Sequence, residues 1–354
     1  MAQKSLAEAL DALTRPARLV EAQPAQAVRC LACAHHCLIK PGGRGACKMR
    51  FNREGTLNVP WGYVAAANID PIEKKPFMHF LPGQLAMTFG MLGCNFHCDF
   101  CQNWVSSQAL RDPASDESGD YIQKISPEAV VAYAQRNHAP IIASSYNEPL
   151  ITSEWAMDIF ALAKPGGMRT VFVSNGYATP EVLRALRPVL DGFKVDLKSM
   201  QDKNYRALGG KLQPVLDSIN LAQELGLWVE VVTLVIPGYN DSNEELWEAA
   251  RTLAAISSDI PWHVTAFYPT YRHTGAPPTP AETLQRAAEI GQEAGLRYVY
   301  AGNLPGRVGS LEDTHCPACG TLLIERRGYS ILGYHLTEKG QCPKCAENIA
   351  GVWG

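Results

Sequence analysis

Along most of this chain, short apolar runs alternate with stretches whose apolar residues return every three or four positions. Runs of the first kind cover residues 85–92, 141–145, 170–174, 193–197, 228–236, 263–268 and 297–301, and their length and β-branched content predict strands. Stretches of the second kind cover 127–137, 155–164, 180–186, 214–225, 243–256 and 281–294, and predict amphipathic helices. Such alternation argues for an α/β fold, a parallel sheet with helical crossovers curled into a full or partial barrel. A closed barrel of TIM type needs eight strand–helix units. The chain offers fewer, so an incomplete (β/α)6 barrel is expected, with its chemistry on the loops that follow the strands.

The flanks follow other patterns. Leu6, Ala9, Leu10 and Leu13 have helical spacing and predict a packing helix over 4–13, ended by Pro16. Beyond it the chain to residue 84 is rich in turns, and residues 307–354 form a short tail with two β-like runs. The expected division is an N-terminal helix and cysteine-rich segment (1–84), a core (85–306) and a tail (307–354).

Charge narrows the partners. A net charge of −3 and a pI near 6.3 leave no basic excess for a nucleic acid or an anionic membrane surface. No apolar run approaches the roughly twenty residues that a membrane-spanning helix requires. The first residues read as a charged amphipathic helix rather than a signal peptide, so a cytoplasmic protein is expected.

The eleven cysteines fall into three groups. Cys30, Cys33, Cys37 and Cys47 form the first; Cys94, Cys98 and Cys101 the second; Cys316, Cys319, Cys342 and Cys345 the last. Local clusters with CxxC-like spacing point to metal in a reducing compartment rather than to disulfides. The paired CPxC knuckles of the tail predict a zinc-ribbon or rubredoxin-like site, with zinc favoured over iron. So small a unit would draw its folding energy from the metal. The first group would hold a structural zinc or an auxiliary iron–sulfur cluster. The middle group differs because it has three thiols, which suggests a cluster with one iron open to another molecule.

The string GCNFHCDFCQNW over 93–104, with DPIEKKP over 70–76 before it, resembles the CxxxCxxC signature of radical S-adenosylmethionine (SAM) enzymes. It is similar to the AmmeMemoRadiSam-type branch of the pyruvate formate-lyase activating enzyme group. The resemblance implies a [4Fe-4S] cluster on Cys94, Cys98 and Cys101 that binds SAM and reduces it to a 5′-deoxyadenosyl radical. It also implies SAM-binding elements at successive strand ends. Tyr146-Asn147-Glu148-Pro149 resembles a GGEP-like motif, with Glu148 and Pro149 matching and Asn147 departing from the second glycine. Ser174-Asn175-Gly176 resembles a TNG-type turn, and Asp196-Leu197-Lys198 a DLK element. By the same resemblance, Glu73-Lys74-Lys75 would lie at the mouth of the site. The loop holding Thr270, Tyr271 and His273 departs from the family pattern.

The function these features imply is reductive cleavage of SAM and hydrogen abstraction from a substrate, with electrons from a flavodoxin- or ferredoxin-type donor. The target is either a partner protein that receives a glycyl radical, or a small molecule or peptide that is modified. Memo-type and AMMECR-type proteins are the associated partners that the resemblance suggests. The competing class is a non-catalytic iron–sulfur electron carrier, which would have no use for SAM-like motifs at the strand ends.

Overall fold

The computed structural model describes residues 5–354. Its centre is an eight-stranded sheet. Strand β1 (Ala66–Pro71) pairs antiparallel with β2 (Leu85–Gly90). After β2, the sheet continues in chain order through β3 (Ile141–Ser144), β4 (Arg169–Ser174), β5 (Gly192–Asp196), β6 (Trp228–Val235), β7 (Trp262–Ala266) and β8 (Val299–Gly302). From β2 to β8 each strand is parallel to the next. The crossovers carry α1 (Pro127–Arg136), α2 (Ser153–Ala163), α3 (Pro180–Leu186), α4 (Gln213–Glu224), α5 (Asn243–Ile256) and α6 (Ala281–Glu293). Six strand–helix units and a final strand therefore match the expected α/β architecture. Helix starts are fixed by side chains written in the sequence: Ser126, Thr179 and Ser242 each accept a hydrogen bond from a first-turn amide.

Sequential strand order with right-handed crossovers places the helices on one face and leaves the other face to curl inward. Among the described residues β1 and β8 do not pair, so the barrel is open. Alternate strand positions explain why both faces are apolar. Met87, Phe89, Ile142 and Phe172 join the core beneath the helices, while Ala86, Ile141, Ala143 and Val171 face the interior. The interior is plugged at its lower end by the connection between β1 and β2, whose Ile72, Phe77 and Phe80 pack on those inward residues.

The flanking segments dock onto this core. The N-terminal helix runs over Leu6–Asp11, started by a capping box between Ser5 and Glu8; residue 4 of the expected helix lies outside the described residues. Two small antiparallel sheets follow, with Cys30 at the end of a strand and Cys33, Cys37 and Cys47 in the loops beside it. The expected boundary at residue 84 falls inside the central sheet, because β1 and the plug precede it. The tail holds β9 (Thr314–His315), β10 (Leu322–Arg327) and β11 (Ser330–Tyr334). Its Leu323, Ile324 and Ile349 share a core with Met78, Tyr298 and Tyr300, and a bridge joins Val352 to Phe80. Among the described residues no helix is long and apolar enough to cross a membrane.

Candidate active site

The loop after β2 brings Cys94, Cys98 and Cys101 to the upper, C-terminal end of the sheet. Gly93 permits this turn: its φ is +91°, and a Cβ there would lie 2.2 Å from Met49 Cγ. The three thiols face a cavity of about 120 Å³ that Glu148, Ser174, Asn175, Asp196 and Lys198 also line. Five sequence-predicted positions from three other strand ends thus meet the cysteine loop. Pro149 and Gly176 do not line the cavity. Pro149 opens the helical turn after Glu148, and Gly176, at φ +69°, packs where a Cβ would lie 2.5 Å from Val195 Cγ1.

Burial dominates the electrostatics. It pushes the Cys94 thiol far up, and it pushes Cys98 up to about 12 against the pull of the Lys198 ammonium. Buried thiols held this high keep their protons until metal binding displaces them to solvent. Donors already aim at the sulfurs: Phe96 N lies 3.3 Å from Cys94 Sγ, and Ser107 Oγ 3.2 Å from Cys101 Sγ. The Asn95 amide nitrogen beside them is buried with no partner. A soft, desolvated donor set of three thiolates fits an iron–sulfur cluster.

Glu148 is a structural hub as well as a wall of the cavity. It accepts hydrogen bonds from Ser174 Oγ at 2.7 Å, Asn175 N at 2.8 Å and Leu150 N at 3.0 Å. Burial nevertheless pushes its carboxyl up to about 7. On the opposite wall Asp196 lies between Lys194 and Lys198. Burial would raise its pKa, but the Lys194 and Lys198 ammonium groups hold it below the usual carboxylate range. Lys198 is steadied by Asn240, whose amide donates to its carbonyl at 2.8 Å.

The small cavity opens into a chamber of about 420 Å³; the two share Cys98, Cys101, Asp196 and Lys198. Glu73, Lys74 and Lys75 line this chamber, where Glu73 and Lys75 are buried. Walls supplied both by the β1–β2 connection and by Tyr300 of β8 require the two edges of the sheet to curl toward each other. The departing loop after β7 clamps the cysteine loop: Arg272 N and His273 N donate to Asp99 O at 2.9 and 3.0 Å, and Tyr271 stacks on Trp104.

Of the other cysteines, the tail quartet is the tightest. Sγ atoms of Cys316, Cys319, Cys342 and Cys345 all lie within 4.8 Å of one another, a geometry suited to one metal ion. Among the described residues no other such set is that compact. Cys30, Cys33 and Cys47 are buried, and Cys33 feels the charge of Cys30, Cys37 and Cys47, so the first group is gathered but wider. His35 does not turn to those thiols; its Nε2 lies 3.0 Å from Asn95 O in the catalytic loop. Sequence reading missed Glu230, His263 and Arg326. Charged residues inside strand-like runs were the available signal.

Comparison with known proteins agrees with this geometry. The family model "Radical SAM superfamily" matches residues 89–253. An uncharacterized protein of Methanocaldococcus jannaschii is 40% identical over 91% of this chain and 95% of its own. The pyruvate formate-lyase-activating enzyme of Clostridium pasteurianum is 25% identical over 51% of this chain and 71% of that enzyme. The isethionate sulfite-lyase activating enzyme of Oleidesulfovibrio alaskensis is 25% identical over 46% of this chain and 54% of its own length. The crystal structure of a radical SAM methyltransferase from Sphaerobacter thermophilus shares the fold, with a TM-score of 0.50 and 16% identity over 88% of this chain and 81% of the other.

Proposed function

From the premise that this chain belongs to the radical SAM superfamily and is an enzyme, we propose that Cys94, Cys98 and Cys101 hold a [4Fe-4S] cluster whose open iron binds SAM. The observation that carries the reading is the meeting of these thiols with Glu148, Ser174, Asn175, Asp196 and Lys198 on one cavity that leads into a chamber. Bound there and reduced by an external flavodoxin- or ferredoxin-type donor, the cluster and SAM would supply a 5′-deoxyadenosyl radical for hydrogen abstraction from the substrate. The chain's own part is positioning and exclusion. Glu148 fixes the Ser174–Asn175 turn against the cavity, with Pro149 and Gly176 shaping the backbone around it. Asp196 and Lys198 set a wall of paired opposite charges between the small cavity and the chamber.

The AmmeMemoRadiSam-type assignment belongs to the same reading, with Memo-type and AMMECR-type proteins as candidate partners. The names of the activating-enzyme relatives support a partner protein as the target, on which the resemblance implies a glycyl radical. The chamber, lined by polar and apolar side chains together, supports modification of a small molecule or peptide instead. We assign zinc to the compact tail quartet. Four thiolates at Zn–S distances of about 2.3 Å have sulfurs about 4 Å apart; the wider first group, Cys30, Cys33, Cys37 and Cys47, better suits an auxiliary iron–sulfur cluster.

The test is anaerobic reconstitution with iron and sulfide, followed by dithionite and SAM, with 5′-deoxyadenosine, iron and zinc measured together. The parent should cleave SAM and the Cys98→Ala variant should not. A fully loaded parent that neither binds nor cleaves SAM would leave the electron-carrier reading in its place.

A further inference from the structure

The chamber carries more positive charge than its carboxylates meet. Lys74, Lys75, Lys194 and Lys198 line it, and these four ammonium groups share two anions. Asp196 pairs with Lys194 and Lys198, and Asp70 pairs with Lys74 at 2.7 Å and Lys75 at 3.1 Å. Glu73 lines the chamber too, but Arg326 matches its charge, with Nε 4.0 Å from Glu73 Oε1. Asp70 is not one of the lining residues. It therefore holds Lys74 and Lys75 from outside the chamber and leaves them further N–H donors, since each ammonium has three. Lys75 is only 4% exposed, and so little water reaches it that half a carboxylate is a poor counter-charge.

A hydroxyl stands beside this pair. Tyr146, in the turn after β3, lines both the chamber and the small cavity. Its Oη accepts from Lys75 Nζ at 3.4 Å and from Asn68 Nδ2 at 3.0 Å, and Lys75 Nζ lies 4.9 Å from its ring centroid. Two incoming bonds leave the phenol proton to be donated elsewhere, and among the described residues no acceptor takes it. The backbone is built around this side chain. Tyr146 stands at the first glycine of the GGEP-like motif with a left-handed φ of +69°, a conformation costly for any residue with a Cβ. Gly90 makes room for it, since a Cβ there would lie 2.9 Å from Tyr146 Cβ.

We propose that Lys75 Nζ and Tyr146 Oη, backed by Lys74, form a subsite for an anionic group of the substrate, a carboxylate or a phosphate. An anionic oxygen meets both unmet features, the surplus charge and the idle phenol proton, through charge-assisted bonds. Lys198 borders the small cavity, whereas Lys74 and Lys75 line the chamber alone, so the subsite is separate from the place assigned to SAM and next to it. It deepens the proposed function by naming the group by which the substrate is held, and as a substrate site it rests on that reading.

The test uses the anaerobically reconstituted holoprotein with SAM, labelled with 13C at tyrosine Cζ and titrated at neutral pH and constant ionic strength. The probes are inorganic phosphate, acetate and neutral acetamide, and Tyr146→Phe assigns the resonance. Phosphate or acetate should shift Tyr146 Cζ saturably and acetamide should not; tighter binding of phosphate marks a phosphorylated substrate, tighter binding of acetate a carboxylate one. Lys75→Gln should weaken the anion about tenfold or more, as expected for loss of a charge-assisted bond. A resonance indifferent to both anions, or shifted equally by acetamide, overturns the subsite, as does undiminished affinity in a folded Lys75→Gln protein. The parent titration decides even if that variant folds poorly. Failure to cleave SAM would sink the proposed function without altering this titration, so the two failures are distinct.

Discussion

At the scale of the residue, conformation and proton affinity decide what the cysteine loop can do. Gly93 has both a left-handed φ of +91° and Met49 against the place of a Cβ. Gly93→Ala should cost about 1–2 kcal/mol from the backbone alone and lower the iron bound per chain; denaturant melts and iron assays on the same preparation check it, and a variant with parental iron content would refute the argument. His79 offers a cleaner titration. Its Nδ1 lies 2.6 Å from Ala350 O and its Nε2 2.6 Å from Tyr300 Oη, so the neutral ring is satisfied as donor and acceptor. Burial pushes its pKa down to about 4 from 6.5. Because the unfolded chain binds this proton more readily, stability is lost as pH falls from 6.5 toward 4, by about 3 kcal/mol for this group. His79→Gln should flatten that part of the stability curve in urea melts across the range. The cysteines were plain in the sequence; neither the tautomer of His79 nor the pairing of His263 with Glu230 was, since both depend on partners more than 30 residues away.

At the scale of the element, the best-read features were the strands, because both faces of each parallel strand are buried and the sequence shows an unbroken apolar run. Strand ends were less legible. The run 85–92 outlasts β2, which stops at Gly90, since Met91 and Leu92 turn toward the cysteine loop while remaining in the core. Segments whose burial comes from elsewhere were harder still. DPIEKKP reads as charged, yet Glu73 and Lys75 are buried beside the plug. A comparable tie joins the first cysteine segment to α2. Arg50 and Glu154, each 1% exposed, form a buried ion pair, and Arg50 Nε donates to Ile151 O at 2.8 Å. Glu154→Ala should cost about 3–5 kcal/mol by stranding a buried guanidinium, whereas Arg50→Met with Glu154→Leu should recover most of that loss. Equal destabilisation of the single and double variants in urea would rule out the stranded charge as the cause.

At the scale of the whole molecule, the tail is fastened to the barrel through Arg326, the shared core around Tyr300, and the Val352–Phe80 bridge. Cys342→Ser should loosen residues 307–354 to limited proteolysis while the central sheet keeps its helical and strand signal, because a metal-dependent module unfolds without its ion. A tail equally resistant in parent and variant would show that barrel contacts alone hold it. By itself the sequence determined the strand–helix order and the three cysteine groups, because periodicity and ligand spacing are local properties of a chain; the strand-end residues that line the small cavity were legible only through the resemblance to radical SAM enzymes. Only the tertiary structure decided that β1 and the plug belong to the barrel, that the tail closes against it, and that Glu73 and His263 line one chamber. Those facts depend on how the sheet curls, and curling brings together residues that no local pattern connects.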